Sequence, residues 1–557
     1  MKKNYAKKFI AAFAIVAITI LSVTVGPANI AKAESGYTDQ IILENLELVE
    51  YITSKLYNFE TEIYLTGFEE PTHSIGFLFK VIKDSNPKLF YVSYYCTYTE
   101  ETKCLHVSYL YSEEETYEML EDLENEMIKY LELADDSYTS VQKALVIHDL
   151  MIQRVTYNPE GWDNNLIYPE LTALVFTEGL GVCGTISEAY RILMMRLGIP
   201  CRTPASHTMT HGWDAIQLED GNWYHSDVTW DNFDTRLSNV GHNQFMLSDD
   251  LIAENHCDWQ SSFNIEADST AYDNFFWRNV NSPIIEKDGL WYFIGDNSYS
   301  PQGSGLYTYN FTTGEVNKVH SINTTWVRAG IYSGLSIYNG HLYINTSDAI
   351  YVLDDNFNRT EVARASGNNQ IWGFEINYEG NLVYQTSPDI CSEEFEFHEI
   401  QLFTPLKAPE WKSLIVDNGT AYLRWTPVNG AVAYEVYRST SKVGEYESIG
   451  VVTGCSFIDY QEGDETYYYR LRALGSDVKA NSPFGTRGSC SEMFTPINSG
   501  DVDGNGIVNV SDATLAMRHT LGLIALTEEE ATRGDVNGDG KLDIADATLI
   551  LQIAMGA

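Results

Sequence analysis

The sequence predicts a multidomain chain with four structured parts: an α+β domain in front, an all-β propeller-like region, a β-sandwich, and a small α module with paired calcium loops. Three observations predict it. At 557 residues the chain is several domains long. Its pattern changes from mixed helix and strand over residues 36–265 to short aromatic-rich strands after residue 270. An acidic fifteen-residue motif occurs twice near the C-terminus, 34 positions apart.

A composition of 44% hydrophobic and 20% charged residues excludes a disordered chain, a collagen and a polytopic membrane protein. Lys+Arg 35 against Asp+Glu 78 gives a formal charge of −43. A field of that sign repels phosphate backbones and anionic headgroups, so no nucleic acid and no anionic membrane is expected as a partner. Excess carboxylate suits calcium and keeps a secreted protein soluble. Residues 1–33 read as a signal peptide: Lys2, Lys3, Lys7 and Lys8 precede an apolar run from Phe9 to Leu21, and Ala31-Lys32-Ala33 offers small residues to a signal peptidase. No later segment reaches membrane length, so the expectation is a secreted, extracellular protein without a membrane span. Eight cysteines are too sparse for a disulfide scaffold. Cys96 and Cys104, flanking a strand-like stretch, are the candidate pair.

In the front domain, residues 34–265, the stretch from Gly179 to Pro200 carries the chemistry. Ile186, Ala189, Tyr190, Leu193, Met194 and Leu197 form the apolar stripe of a buried helix, stopped by Gly198 and Pro200. Gly179 and Gly181 permit a sharp entry, so Cys183 falls in the first turn, where the helix dipole and free N–H groups favour thiolate. A base and an orienting group are then required. His211 opens an alternating strand ending at the turn Glu219-Asp220-Gly221-Asn222, and the returning strand Trp223-Tyr224-His225-Ser226-Asp227 brings Asp227 back toward His211. Sixteen positions separate the two, so one shared face requires a three- or five-residue loop, or a bulge. On spacing alone Asp214 and Asp231 are alternatives to Asp227; His148 reads as a core or scaffold histidine, and His225 as a packing residue or a partner behind the site. No Cys-x-x-Cys pair supports zinc.

Gly-Val-Cys before an Ala-Tyr helix ending Leu-Gly-Ile-Pro, then His-x-Trp, then Trp-Tyr-His-x-Asp-x-Thr-Trp-Asp, resembles the transglutaminase-like family of the papain-like superfamily. The resemblance spans about residues 135–260, from Lys143-Ala144-Leu145-Val146-Ile147-His148-Asp149 to Asn255-His256. It implies a papain-like α+β fold with Cys183 as nucleophile, His211 as general base and Asp227 as orienting carboxylate, needing no cofactor for catalysis. Gly184, Thr185 and Ile186 stand where the family shows a polar residue, Gly and an aromatic, and Ala173 where Tyr is common; the resemblance places both departures around the acyl pocket.

Over residues 270–405, Asp288-Gly289-Leu290-Trp291, Asn339-Gly340-His341-Leu342 and Glu379-Gly380-Asn381-Leu382 each open a turn followed by an alternating strand, as propeller blades do. Their unequal spacing and small number leave closure open. Over 406–490, Tyr422-Leu423-Arg424-Trp425, Tyr434-Glu435-Val436-Tyr437-Arg438 and Thr466-Tyr467-Tyr468-Tyr469-Arg470-Leu471 alternate as sandwich strands; with a Trp on an early strand they resemble a fibronectin type III module, read here as a spacer.

The repeated motif, residues 501–515 and 535–549, places oxygen ligands around a sharp turn, as a calcium loop does. The first loop offers Asp501, Asp503, Asn505, the Ile507 carbonyl, Asn509 and Asp512; the second offers Asp535, Asn537, Asp539, the Lys541 carbonyl, Asp543 and Asp546. With Asp at position 12 and only a following helix, residues 499–557 resemble a type I dockerin. That resemblance implies two Ca²⁺ ions and docking onto a cohesin of a cellulosomal scaffoldin, with Val510, Ser511, Ile544 and Ala545 in the positions that choose the partner. The expected activity is hydrolysis of peptide or isopeptide amides on a protein or peptide substrate in a plant-wall-degrading complex. The alternatives are a protein cross-linking transglutaminase and a catalytically silent binding module.

Overall fold

The computed structural model describes residues 41–554 except 43, 69–70, 72, 85, 94, 159–167, 233–238, 260–264, 323–331, 390–394, 418–419, 441–445, 461–466, 486–499, 504–507 and 538–539. The expected signal peptide lies outside these residues.

The front domain is built from α1 (Leu46–Tyr57), β1 (Glu62–Tyr64), α2 (Ile75–Asp84), β2 (Thr97–Thr99), β3 (Cys104–His106), α3 (Glu113–Leu131), α4 (Ser140–Arg154), β4 (Thr156–Tyr157), α5 (Tyr168–Thr177), β5 (Leu180–Gly181), α6 (Cys183–Arg196), β6 (Cys201–Arg202), β7 (Ala205–Ser206), β8 (His211–Gly212), β9 (Asp214–Gln217), β10 (Trp223–Ser226), α7 (Val228–Asp231), β11 (Phe245–Leu247) and α8 (Asp249–Ile252). The predicted stripe buries α6 as expected: Ile186, Ala189, Tyr190, Leu193 and Met194 are fully buried in the main core. The buried Tyr190 hydroxyl donates to the Ala144 carbonyl at 3.1 Å, tying α6 to α4. A sheet in the order β11-β10-β9-β6 carries the hairpin expected to hold the base and the carboxylate. The Cys96–Cys104 pairing does not form, and both thiols are free. Because β2 pairs Thr97 with His106, Cys96 falls opposite position 107, an odd three places from Cys104 and on the other face.

The middle region contains three antiparallel meanders: β12 (Ile285–Lys287), β13 (Leu290–Gly295), β14 (Gly305–Tyr309) and β15 (Val316–Ser321); β16 (Leu335–Tyr338), β17 (His341–Asn345), β18 (Ala349–Leu353) and β19 (Arg359–Arg364); β20 (Gln370–Ile376), β21 (Asn381–Ser387) and β22 (Glu396–Gln401). The three turn-and-strand repeats are the entries to β13, β17 and β21. Asp288-Gly289 and Asn339-Gly340 take positive φ at both residues, the geometry of a two-residue hairpin turn. A closed propeller is not shown among the described residues: the third meander has three strands, and none of them pairs with the first sheet. Propellers typically close with about four to eight four-stranded blades, a number that three meanders do not reach.

Then follow two three-stranded sheets, β23 (Trp411–Asp417), β24 (Thr420–Trp425) and β27 (Ser456–Tyr460) against β25 (Ala433–Ser439), β26 (Glu447–Val452) and β28 (Tyr468–Leu474), enclosing Leu423, Trp425, Val436, Tyr469 and Leu471. The end of α3 joins the parts: Glu132 accepts from Arg472 at 2.5 Å and Asn481 at 3.0 Å, and the Tyr378 hydroxyl donates to the Lys129 carbonyl. A cavity of about 510 Å³ lies at this junction, lined in part by Leu123, Lys129, Ala173, Tyr378 and Arg472. Ala173, expected beside an acyl pocket, therefore faces the junction.

At the C-terminus α9 (Val510–Thr520), α10 (Glu528–Gly534) and α11 (Ile544–Ala554) surround Val502, Ala513, Ala516, Ala547 and Ile550. The core follows the repeat, since Ala513 and Ala547 occupy equivalent positions, as do Ala516 and Ile550.

Candidate active site and calcium loops

Cys183 is the first residue of α6 and is partly exposed. Thr185 Oγ1 accepts from the Val182 N–H and donates to the Val182 carbonyl, both at 3.1 Å, closing the helix start. This gives Thr185, a departure from the family pattern, a capping role. Ser187 Oγ donates to the Gly212 carbonyl at 3.1 Å and fixes α6 against β8, which carries His211. Thr210, just before His211, adopts φ 52°, a left-handed conformation that costs a β-branched residue on the order of 1–2 kcal/mol and aims the strand entry.

The β9–β10 ladder pairs Gln217 with Trp223 and leaves a five-residue loop between them, one of the odd loops that the sixteen-residue spacing requires. His211 and Asp227 thereby share a face, with His211 Nε2 2.6 Å from Asp227 Oδ2. Asp227 is fully buried, and its Oδ1 accepts from the Trp230 N–H at 3.0 Å as the cap of α7. Nε2 being engaged, Nδ1 is the ring nitrogen left for the thiol. Burial opposes ionisation of Cys183, but the hydrogen bond and charge of His211, with the Gly212 and Gly184 backbone, outweigh it and hold the thiol below its ordinary range. Burial likewise opposes charge on His211, yet its bonds to Asp227 and Cys183 push it up to about 9. Between these limits thiolate and imidazolium coexist.

The alternative carboxylates are occupied elsewhere. Burial, reinforced by the charges of Asp227 and Glu188, drives the Asp214 carboxyl well above its usual range, which disfavours the charged form that would stabilise an imidazolium. Asp231 receives His148 Nε2 at 3.2 Å. His148 Nδ1 meets Asp149 Oδ1 at 3.0 Å, and the same oxygen meets His242 Nε2 at 2.9 Å. His225 is buried behind Trp213, accepting from its indole N–H at 3.1 Å and reaching Asp249 at 2.8 Å. Two residues of these networks are not legible in the sequence: nothing around His242 marks it, and His256 enters only as the end of the stretch that resembles the transglutaminase-like family.

His148 lies between two carboxylates, and although burial opposes its charge, Asp149 and Asp231 raise it to about 9. A histidine raised from 6.5 stabilises the fold fully below about pH 6.5 and loses that contribution as pH rises through about 9. His148→Leu should therefore cost about 3–5 kcal/mol at pH 6, because two buried carboxylates lose the cation between them. Urea unfolding should show the penalty shrinking toward pH 10.

In the C-terminal module, Asp512 accepts from the Asp503 and Asn509 N–H groups at 3.2 and 2.9 Å, and Asp546 from Asn537 and Asp543 at 3.1 and 2.9 Å. The position-12 carboxylate thus folds each loop back on itself. Asp501, Asp503 and Asp512 bring ligating oxygens within 4.8 Å of one another, and burial with the charges of Asp503 and Asp501 raises the Asp512 carboxyl. An all-oxygen set whose members repel one another fits Ca²⁺. Asn505, Ile507 and Asp539 lie outside the described residues; Asp535, Asn537, Lys541 and Asp543 line the second loop. Val510, Ser511, Ile544 and Ala545 are all exposed at the starts of α9 and α11.

Residues 129–228, which include Cys183, His211 and Asp227, match the transglutaminase-like superfamily, and residues 499–552 match the dockerin type I domain. The chain thus carries a transglutaminase-like domain and a C-terminal type I dockerin. No curated protein matches it. Among solved structures, an Fn3-like protein from Clostridium thermocellum is 31% identical over 14% of this chain and 90% of its own, with a TM-score of 0.13. Domains A168-A170 of titin are 11% identical over 36% of this chain and 82% of theirs, with a TM-score of 0.14. Neither score defines a shared fold.

Proposed function

We propose that the chain is a secreted, cellulosome-docked cysteine enzyme that hydrolyses peptide or isopeptide amides through Cys183, His211 and Asp227. The observation that carries this reading is His211 bonded on one side to Asp227 at 2.6 Å and on the other to a thiol held below its ordinary range. Cys183 Sγ attacks the substrate carbonyl carbon, and the first-turn amides of α6 receive the oxyanion. His211 passes its proton to the departing nitrogen as the C–N bond breaks, releasing an amine and leaving a thioester on Cys183. Water, deprotonated by His211, then adds to the thioester and frees the acid and the thiolate. Asp227 keeps the imidazole oriented and stabilises its charged form. The dockerin's cohesin places this chemistry outside the cell, on a scaffoldin, with two Ca²⁺ ions in its loops; the β-sandwich is a fibronectin type III-like spacer, and the acyl transfer uses no cofactor.

The test follows the acyl group. With casein and glutamine- or isopeptide-containing peptides, mass spectrometry should show cleaved or deamidated product and little incorporation of a primary amine. Predominant amine incorporation would make the enzyme a cross-linker. No acyl-enzyme with any of them would leave a binding module.

A further inference from the structure

Asp227 serves two imidazoles, and the acyl-transfer steps use only one. His256 is buried, with Nε2 2.9 Å from Asp227 Oδ2, the same oxygen that His211 reaches at 2.6 Å. An ionised carboxylate offers only lone pairs, so His256 donates to it from Nε2–H. Its ring is held by Trp213, edge-on at 4.6 Å between centroids, and by Trp230 at 4.3 Å, while Nδ1 lies 2.6 Å from Asn255 Oδ1. Other titratable groups face this pair from each neighbouring element: Cys183 from α6, Asp214 from β9, His225 from β10 beyond Trp213, and Tyr157 from β4 beside the thiol. Among the described residues, His256 is the group that competes with His211 for the same oxygen.

We propose that His256 is a positioning residue that shares Asp227 Oδ2 with His211 and so limits how strongly the carboxylate stabilises the His211 imidazolium. The proposal rests on the acyl-transfer reading. A carboxylate committed to one imidazole strengthens its hydrogen bond to Nε2–H and raises the imidazolium's pKa, whereas Nδ1 must surrender its own proton to the departing nitrogen. A second donor on the same oxygen weakens the first.

The experiment reads alkylation of Cys183 by iodoacetate in the full chain, from pH 5 to 11. This anionic reagent follows the thiolate–imidazolium pair: its rate rises as Cys183 ionises and falls as His211 loses its charge. His256→Ala and His256→Met remove the donor with and without a void; His256→Gln retains a side-chain N–H. In whichever donor-less variant folds by circular dichroism, the alkaline limb should move up by about 0.5–1 unit, the worth of one lost hydrogen bond. His256→Gln should restore the wild-type position. An unmoved or lowered limb overturns the proposal, as does a Gln variant that behaves like Ala. Failure of both donor-less variants to fold overturns it too, since the role would then be structural. A wild-type Cys183 with no such bell-shaped profile sinks the acyl-transfer reading and this proposal together; a normal wild-type profile with unshifted variants sinks this proposal alone.

Discussion

Cys183→Ala should abolish amide hydrolysis, a fall in kcat of about 10⁴-fold or more, while leaving the fold unchanged. The side chain is partly exposed at a helix start and supports no core packing, so the loss reports chemistry alone. His211→Ala should cost about 10³-fold, because the thiol then returns toward its ordinary range and the leaving nitrogen has no proton donor. Asp227→Asn should lower kcat by about 10²–10⁴-fold, since one amide oxygen must replace a carboxylate that accepts from His211, His256 and the Trp230 N–H. In the wild type, kcat/KM should be flat once Cys183 is ionised and fall as pH passes about 9, where His211 loses its proton. Combining Cys183→Ala with His211→Ala should add little to the first change, because the two act as one unit.

Removing calcium should unfold the dockerin and leave the thiol domain intact. The buried C-terminal core is Val502, Ala513, Ala516, Ala547 and Ile550, with partly buried residues such as Leu515 and Leu551 packed against it. So small a core leaves little stability of its own. An ion held at ~1,000 times its Kd contributes ~4 kcal/mol, comparable to the whole stability of such a module. In EDTA the helicity of residues 499–557 and cohesin binding should therefore disappear together, while alkylation of Cys183 continues at its original rate. Asp512→Ala should weaken binding even in calcium, since it removes a ligand and the acceptor for two loop N–H groups. Unchanged cohesin affinity in EDTA would rule out the calcium dependence.

Local patterns carried much of this into view from sequence. The α6 stripe, the duplicated loops and the odd hairpin loop follow from periodicities that neighbouring residues fix among themselves. The candidate base and carboxylate were legible for the same reason, being placed by one hairpin. The carboxylate network was not. His148, Asp149 and His242 meet across 93 residues of chain, and His256 reaches Asp227 across 29, through tertiary packing that no period records. The middle region was half legible: each turn marked a strand, but ring closure depends on long-range pairing. The Cys96–Cys104 pair failed on a three-residue offset in register, which spacing alone could not reveal.

One competition measures whether Cys183 is a thiolate paired with His211. Cys257 is an exposed free thiol in the same chain and supplies an internal control. With limiting iodoacetamide at pH 6, Cys183 should be modified at least about tenfold faster than Cys257, and His211→Ala should erase the difference. Labelling of Cys183 no faster than Cys257 in the folded wild-type protein would mean that no such thiolate–imidazolium pair forms.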